Sequence, residues 1–447
     1  MDSSLQSVDI LISARWVIPV VPRDIIYENY SIAVLKNRVL DILPSDEAVT
    51  KYRADSVVEL NEHVLIPGMI NAHGHAAMTL LRGYADDLSL MDWLNKYIWP
   101  LETKWADFDF VKDGTTLAIA EMLRSGTTCF SELYFFPDAA AQAMLENKVR
   151  GQLCFPIVQF ASAWAKDEDD YLHKGLQVHD DQRNNELIKV AFGPHSPYAV
   201  SDQLLHRVMV LSEELDIPVH LHLHETRQEV EEAVAQTGKR PLQRLADIGL
   251  LSPRLQAVHM TQITEQEIGV IAENSVHVIH CPESNLKLAS GFCPVNQLLR
   301  SGVNVALGTD GAASNNDLDM FGEMKTAALM AKAVESDATV LDAHTVLRLA
   351  TLNGAKAMGL EEQLGSLEKG KLADLVAVDL SHLESQPVYS PLSQLVYAHR
   401  GSRVSHVWVN GEILLDDGQF THLNADPLRE AVQQWRDKLR NQEPTQD

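Results

Sequence analysis

Positive charge is scarce in this sequence. The 447 residues carry 37 Lys and Arg against 62 Asp and Glu, a formal net charge of −25. Such a field repels polyanions, and no basic stripe interrupts it, so direct nucleic-acid binding is disfavoured. Cysteine is equally sparse. Cys129, Cys154, Cys281 and Cys293 lie too far apart, and too irregularly, for a zinc ribbon or a disulfide scaffold, and they read as reduced core thiols. Long apolar runs are missing too: the first apolar stretch, DILISARWVIPVV, has no basic segment before it and is interrupted by Arg15. The expectation is a cytoplasmic protein without a membrane partner. There is no repeat, low-complexity run or flexible linker, and the polar tail NQEPTQD reads as a frayed end.

What is present is ordinary globular material, 45% hydrophobic and 22% charged, enough for a large buried core. Residues 8–65 alternate apolar and polar positions between turn signals, as strands do. The same texture returns in KLADLVAVDL and in RVSHVWVNGEILLDDGQF, around an Asn410-Gly411 hairpin signal. Between these ends, apolar strands alternate with helical stretches, a pattern that predicts parallel strands with helical crossovers. About eight such units fit the length. The expected fold is therefore α/β, a (β/α)8 TIM-like barrel over residues 66–365 with a small β-sandwich domain built from 1–65 and 366–447. Functional side chains of such a barrel project from the C-terminal ends of its strands.

The chemistry-bearing residues follow that rule. LIPGMINAHGHAAM ends an apolar strand in His73-Gly74-His75, and the two-residue period of a strand points both imidazoles the same way. Alone, a His-x-His is as often structural as functional. IPVHLHLHETRQEV places His220, His222 and His224 ahead of a capping-box pattern, Thr226-x-x-Glu229, so the strand-to-helix junction falls at Glu225. Three histidines on one face cannot all be ligands. His222 has the best distance from the junction, and one or two of the others belong to the core lower down. SGVNVALGTDGAAS ends a third strand at Asp310, which in isolation reads as a turn or cap carboxylate. As a set, imidazoles plus a carboxylate suit zinc or a similar divalent ion with one position left for water. His195 and His259 also follow short apolar strands, either as site residues or as satisfied core histidines. His280, near Asn285, is a further candidate for the lining.

The order His73-x-His75, His222, His259, Asp310, together with HCPESN, ALGTDGAASNN and LGSLEKGKLADLVAVD, resembles the amidohydrolase superfamily along nearly the whole chain. Within it, MDWLNKYIWPLETKW, GPHSPY and HLHETRQE are similar to the 5′-methylthioadenosine/S-adenosylhomocysteine deaminase group. The resemblance implies one zinc per subunit on His73, His75, His222 and Asp310, and hydrolytic release of ammonia from an adenine nucleoside. Glu225 is then the proton shuttle, His259 stands beside the hydrolytic water together with Asp310, and Glu102, His195, Glu225 and Asp310 contact the nucleoside. Homo-oligomerisation is a family-level expectation. FPIVQFASAWAKDEDD offers no arginine for a homocysteine carboxylate, which ranks methylthioadenosine above S-adenosylhomocysteine. Lys189 stands at the beginning of its strand, away from any bridging position, which favours one metal over two. The rivals are a related hydrolase of guanine, a triazine or another amino-heterocycle, and a non-enzymatic barrel scaffold.

Overall fold

The structure, a computed structural model, describes residues 5–398 and 401–440, and the tail 441–447 lies outside the described residues. Among the described residues sixteen strands form two sheets. Those of the chain ends are β1 (Gln6–Val17), β2 (Tyr27–Leu35), β3 (Arg38–Pro44) and β4 (Tyr52–Pro67), with β13 (Leu375–Asp379), β14 (Val404–Val409), β15 (Glu412–Asp416) and β16 (Gln419–Phe420). The middle of the chain supplies β5 (Met69–Gly74), β6 (Thr127–Leu133), β7 (Arg150–Ile157), β8 (Ile188–Pro194), β9 (Val219–Leu223), β10 (Leu255–His259), β11 (His277–His280) and β12 (Val305–Leu307). Two compact units result: Met1–Ile70, Met122–Cys129 and Asp319–His422 in one, and Asn71–Glu121, Phe130–Leu318 and Leu423–Asp447 in the other.

In the first unit the two chain ends meet in one mixed sheet of order β16-β15-β14-β13-β4-β1-β2-β3. β4 holds it together, parallel to β1 through Ile12↔Val58 and antiparallel to β13 through Val376↔Ile66. Ile12, Ile32, Val39, Leu65, Leu375 and the fully buried Trp408 form its apolar core. The hairpin between β14 and β15 turns at Asn410 and Gly411, whose φ values of 54° and 78° are both left-handed, as a two-residue turn matched to strand twist requires.

The second sheet runs in sequential order from β5 to β12, with helices in the connections, and is a nearly closed parallel barrel. Its first and last strands come together at their C-terminal ends, where Asp310 N donates to His73 O at 3.0 Å and Thr309 N to Asn71 Oδ1 at 2.9 Å. Gly308 makes this seam feasible, because a Cβ there would stand 2.7 Å from His73 N. The four cysteines are buried thiols. Among the described residues no helix is long and apolar enough to cross a membrane.

Candidate active site and metal centre

At the C-terminal ends of the barrel strands, His73, His75 and Asp310 bring one ligand atom each within 4.8 Å of one another, and so do His73, His222 and His259. Each imidazole commits its Nδ1 elsewhere. His75 Nδ1 bonds Leu133 O at 2.6 Å and His222 Nδ1 bonds His195 O at 2.7 Å. A carbonyl can only accept, so both protons sit on Nδ1 and both Nε2 lone pairs are left free. His259 Nδ1 meets Asn285 Oδ1 at 2.9 Å, with the same consequence. His73 Nε2 is buried without a hydrogen-bond partner, 3.5 Å from Asp310 Oδ1, and His75 Nε2 lies 3.3 Å from the same oxygen. Lone pairs converging on a carboxylate repel unless a cation lies among them, so the donor set fits a divalent ion bound by nitrogen and oxygen. Burial, with the neighbouring imidazoles, holds His222 well below the usual histidine range, and burial does the same for His73. Both are therefore neutral and ready to ligate at pH 7.

Asp310 is oriented from two sides. Ser284 Oγ donates to its Oδ2 at 2.6 Å and Gly311 N to its Oδ1 at 2.8 Å. The backbone contributes strain: Asp310 and His259 adopt φ of 64° and 75°, conformations that cost a non-glycine residue about 1–3 kcal/mol and persist where surrounding structure enforces them.

The three histidines of IPVHLHLHE separate. His220 and His222 share the inward face of β9, with His220 one step deeper. His224 lies past the strand with φ 53°, which turns it off that face, and its Nε2 accepts from Leu242 N at 3.1 Å. A common face for all three does not survive, because the strand pleat ends at Leu223. His280 is fully buried on β11 and lies outside the cavity lining, while Asn285 supports His259.

Glu225 sits at the junction. Thr226 Oγ1 accepts from Glu229 N at 3.1 Å and starts the helix Arg227–Thr237, as its spacing predicts. The Glu229 carboxylate reaches back further than the capping pattern implies and accepts from Glu225 N at 2.7 Å and His224 N at 3.1 Å, fixing the backbone that carries Glu225. Thr226→Ala is expected to cost about 1 kcal/mol, read as a lower urea midpoint at unchanged slope. Burial, with Asp310 nearby, pushes the Glu225 carboxyl up to about 8, and its Oε2 lies 3.9 Å from His259 Nε2.

These groups open into a cavity of about 450 Å³. Glu102, from the helix Trp99–Trp105, lines it, together with His195, Trp93, Phe135, Tyr134 and Tyr198. Burial lifts the Glu102 carboxyl to about 7, the Tyr134 hydroxyl opposing, and lowers His195 to about 4. No lysine or arginine occurs among the described lining residues. Sequence reasoning missed Tyr134, Ser284 and the Glu229 carboxylate contacts. Ser284 stands inside HCPESN, between Glu283 and Asn285.

The sequence profile of the Amidohydrolase family matches residues 64–414. A protein of Teredinibacter turnerae named 5-methylthioadenosine/S-adenosylhomocysteine deaminase is 52% identical over 97% of this chain and 98% of its own. The crystal structure of an adenosine deaminase from Xanthomonas campestris with bound zinc superposes with a TM-score of 0.97 at 50% identity, covering 98% of this chain and 100% of that one. An atrazine chlorohydrolase of Arthrobacter aurescens complexed with zinc has a TM-score of 0.89 at 21% identity, covering 95% and 99%, and shares the fold alone.

Proposed function

Because this chain belongs to the amidohydrolase family, we propose that it is a zinc-dependent hydrolase that converts adenine nucleosides to their inosine counterparts, with 5′-methylthioadenosine foremost and S-adenosylhomocysteine and adenosine in the same class. The observation that carries this reading is one cavity lined by Glu225 and Glu102 together with His75, His222, His259 and Asp310, all of which but the two glutamates share a cluster of ligand atoms with the buried His73.

One zinc per subunit is held by His73, His75, His222 and Asp310. Lys189, the lysine of β8, is exposed near the start of its strand and supplies no bridge to a second ion. A bound ion supplies Lewis acidity, bringing the pKa of a coordinated water from 15.7 to about 7. Glu225 accepts the water proton and passes it to N1 of the purine, which makes C6 electrophilic. His259 and Asp310 orient the attacking oxygen towards C6. The oxygen adds to C6, Glu225 takes the remaining hydroxyl proton and delivers it to the amino nitrogen, and the C6–N bond breaks, so that ammonia leaves and C6=O with N1–H remains. A buried carboxyl raised to about 8 suits both halves of this transfer near neutral pH.

Glu102 accepts two hydrogen bonds from the ribose diol, His195 contacts the base, and the apolar wall of Trp93, Leu94 and Phe135 faces the 5′ substituent. Only the ionised carboxylate accepts both bonds, so KM for the nucleoside falls as pH rises through about 7. Glu102→Gln is expected to flatten that limb and to lower kcat/KM by roughly 30-fold, the equivalent of about 2 kcal/mol of charge-assisted bonding. An unchanged limb would remove Glu102 from substrate binding. The decisive experiment for the activity is a spectrophotometric panel of methylthioadenosine, adenosine, S-adenosylhomocysteine, guanine and a triazine. Conversion confined to guanine or the triazine overturns the nucleoside reading.

A further inference from the structure

The interior of a parallel barrel is ordinarily filled by branched apolar side chains in layers. Here a polar column descends from the metal centre instead. His73 Nδ1 meets His220 Nε2 at 2.7 Å, and His220 Nδ1 meets Gln256 Oε1 at 2.7 Å. Gln152 Nε2 donates to Gln256 Oε1 at 2.8 Å, Gln256 Nε2 donates back to Gln152 Oε1 at 3.2 Å, and Gln152 Nε2 reaches Ser131 Oγ at 3.0 Å. All five residues are at most 1% exposed. The links from β5 to β9 and from β7 to β10 join strands that are not neighbours in the sheet, so they cross the barrel interior. A buried polar chain of this kind is tolerated when it is satisfied, and a half-satisfied one is costly.

We propose that His220 is the positioning residue that fixes the tautomer of His73, holding its proton on Nδ1 so that Nε2 is presented to the metal, and that Gln256 and Gln152 set the direction of this chain. The inference rests on His73 being a metal ligand. Gln256 Oε1 receives a Gln152 amide N–H and is therefore an acceptor, so the His220 proton lies on Nδ1 and His220 Nε2 is left as an acceptor. His73 has then one arrangement left, donating through Nδ1. The rings of His73 and His220 stack at 5.0 Å with an interplanar angle of 24°, so the same contact sets the orientation of the ligand ring. None of these five side chains carries a carboxylate, so His73 is a neutral ligand in this arrangement and Asp310 the anionic member of the set. Without the His220 acceptor, His73 is free to carry its proton on Nε2, and a metal must displace it.

Zinc affinity, measured by competition with a chromophoric chelator on the full-length protein, tests this. His220→Phe keeps a ring and removes the acceptor, and a loss of about 10–100-fold in zinc affinity is expected. His220→Gln, which can return an acceptor oxygen towards His73, is expected to recover most of that loss. A purely structural role for His220 predicts no such recovery. Equal affinity in His220→Phe and the unmodified protein overturns the proposal. His73→Ala separates the two readings, since unchanged affinity there removes His73 from the ligand set, whereas a loss in His73→Ala without one in His220→Phe removes only the role of His220. Should His220→Phe not fold, 15N histidine spectra of the unmodified zinc-loaded protein decide. His73 coordinated through Nε2 with a protonated Nδ1 supports the proposal, and coordination through Nδ1 overturns it.

Discussion

Glu225→Gln is expected to lower kcat for methylthioadenosine by about 10³-fold, within the range that a positioned acid–base group contributes, while zinc content stays unchanged. Glutamine preserves the size of the side chain at the β9 junction, where Glu229 holds the backbone of residues 224 and 225. What it removes is the proton. Burial raises the Glu225 carboxyl to about 8, so at neutral pH the free group is poised to carry a proton to the base, a step no amide performs. Zinc should be unaffected, because Glu225 stands outside both clusters of converging ligand atoms. Metal analysis alongside steady-state kinetics reads both quantities. Near-normal turnover would remove Glu225 from the chemistry, and lost zinc would make it a ligand.

Removing the divalent ion is expected to have an effect at least as large. Dialysis against a chelator should bring deamination to background, and zinc should restore it, because water without the ion returns to a pKa near 15.7. Zinc at a thousand times its Kd should also stabilise the fold by about 4 kcal/mol, since Nε2 of His73 and the Asp310 carboxylate are buried against one another. The pH dependence has a definite sign. Protons compete with the metal for imidazole below the histidine pKa, and burial depresses His73 and His222 well below 6.5. Zinc affinity is therefore expected to be flat from pH 8 to 6.5 and to fall only well below that. A decline centred at 6.5 would mean solvated imidazoles and a different site. Activity that survives complete metal removal would overturn the hydrolytic reading.

Local sequence pattern places the candidate residues at strand ends and sets the face that each takes. Those are local properties: a period of two points His73 with His75 and His220 with His222, and the capping hydroxyl of Thr226 marks where β9 gives way to helix. Closure of the eight strands was legible as βα alternation, and so was the pairing of the two chain ends, through their matching strand texture. Tertiary structure alone decided what these residues meet. His220 and His222 carry identical local patterns, and only their partners from the neighbouring strands, Gln256 and the His195 carbonyl, separate a histidine of the buried polar chain from one that faces the cluster of ligand atoms. His224 leaves the row because its backbone turns left-handed, and no periodicity announces that. Glu102 looks like a helix-surface carboxylate until the segment before β6 is placed over the cavity, where desolvation changes its acidity. The physical reason is the same in each case. Periodicity sets direction along one strand, whereas distance and desolvation depend on residues that come together only when the barrel closes.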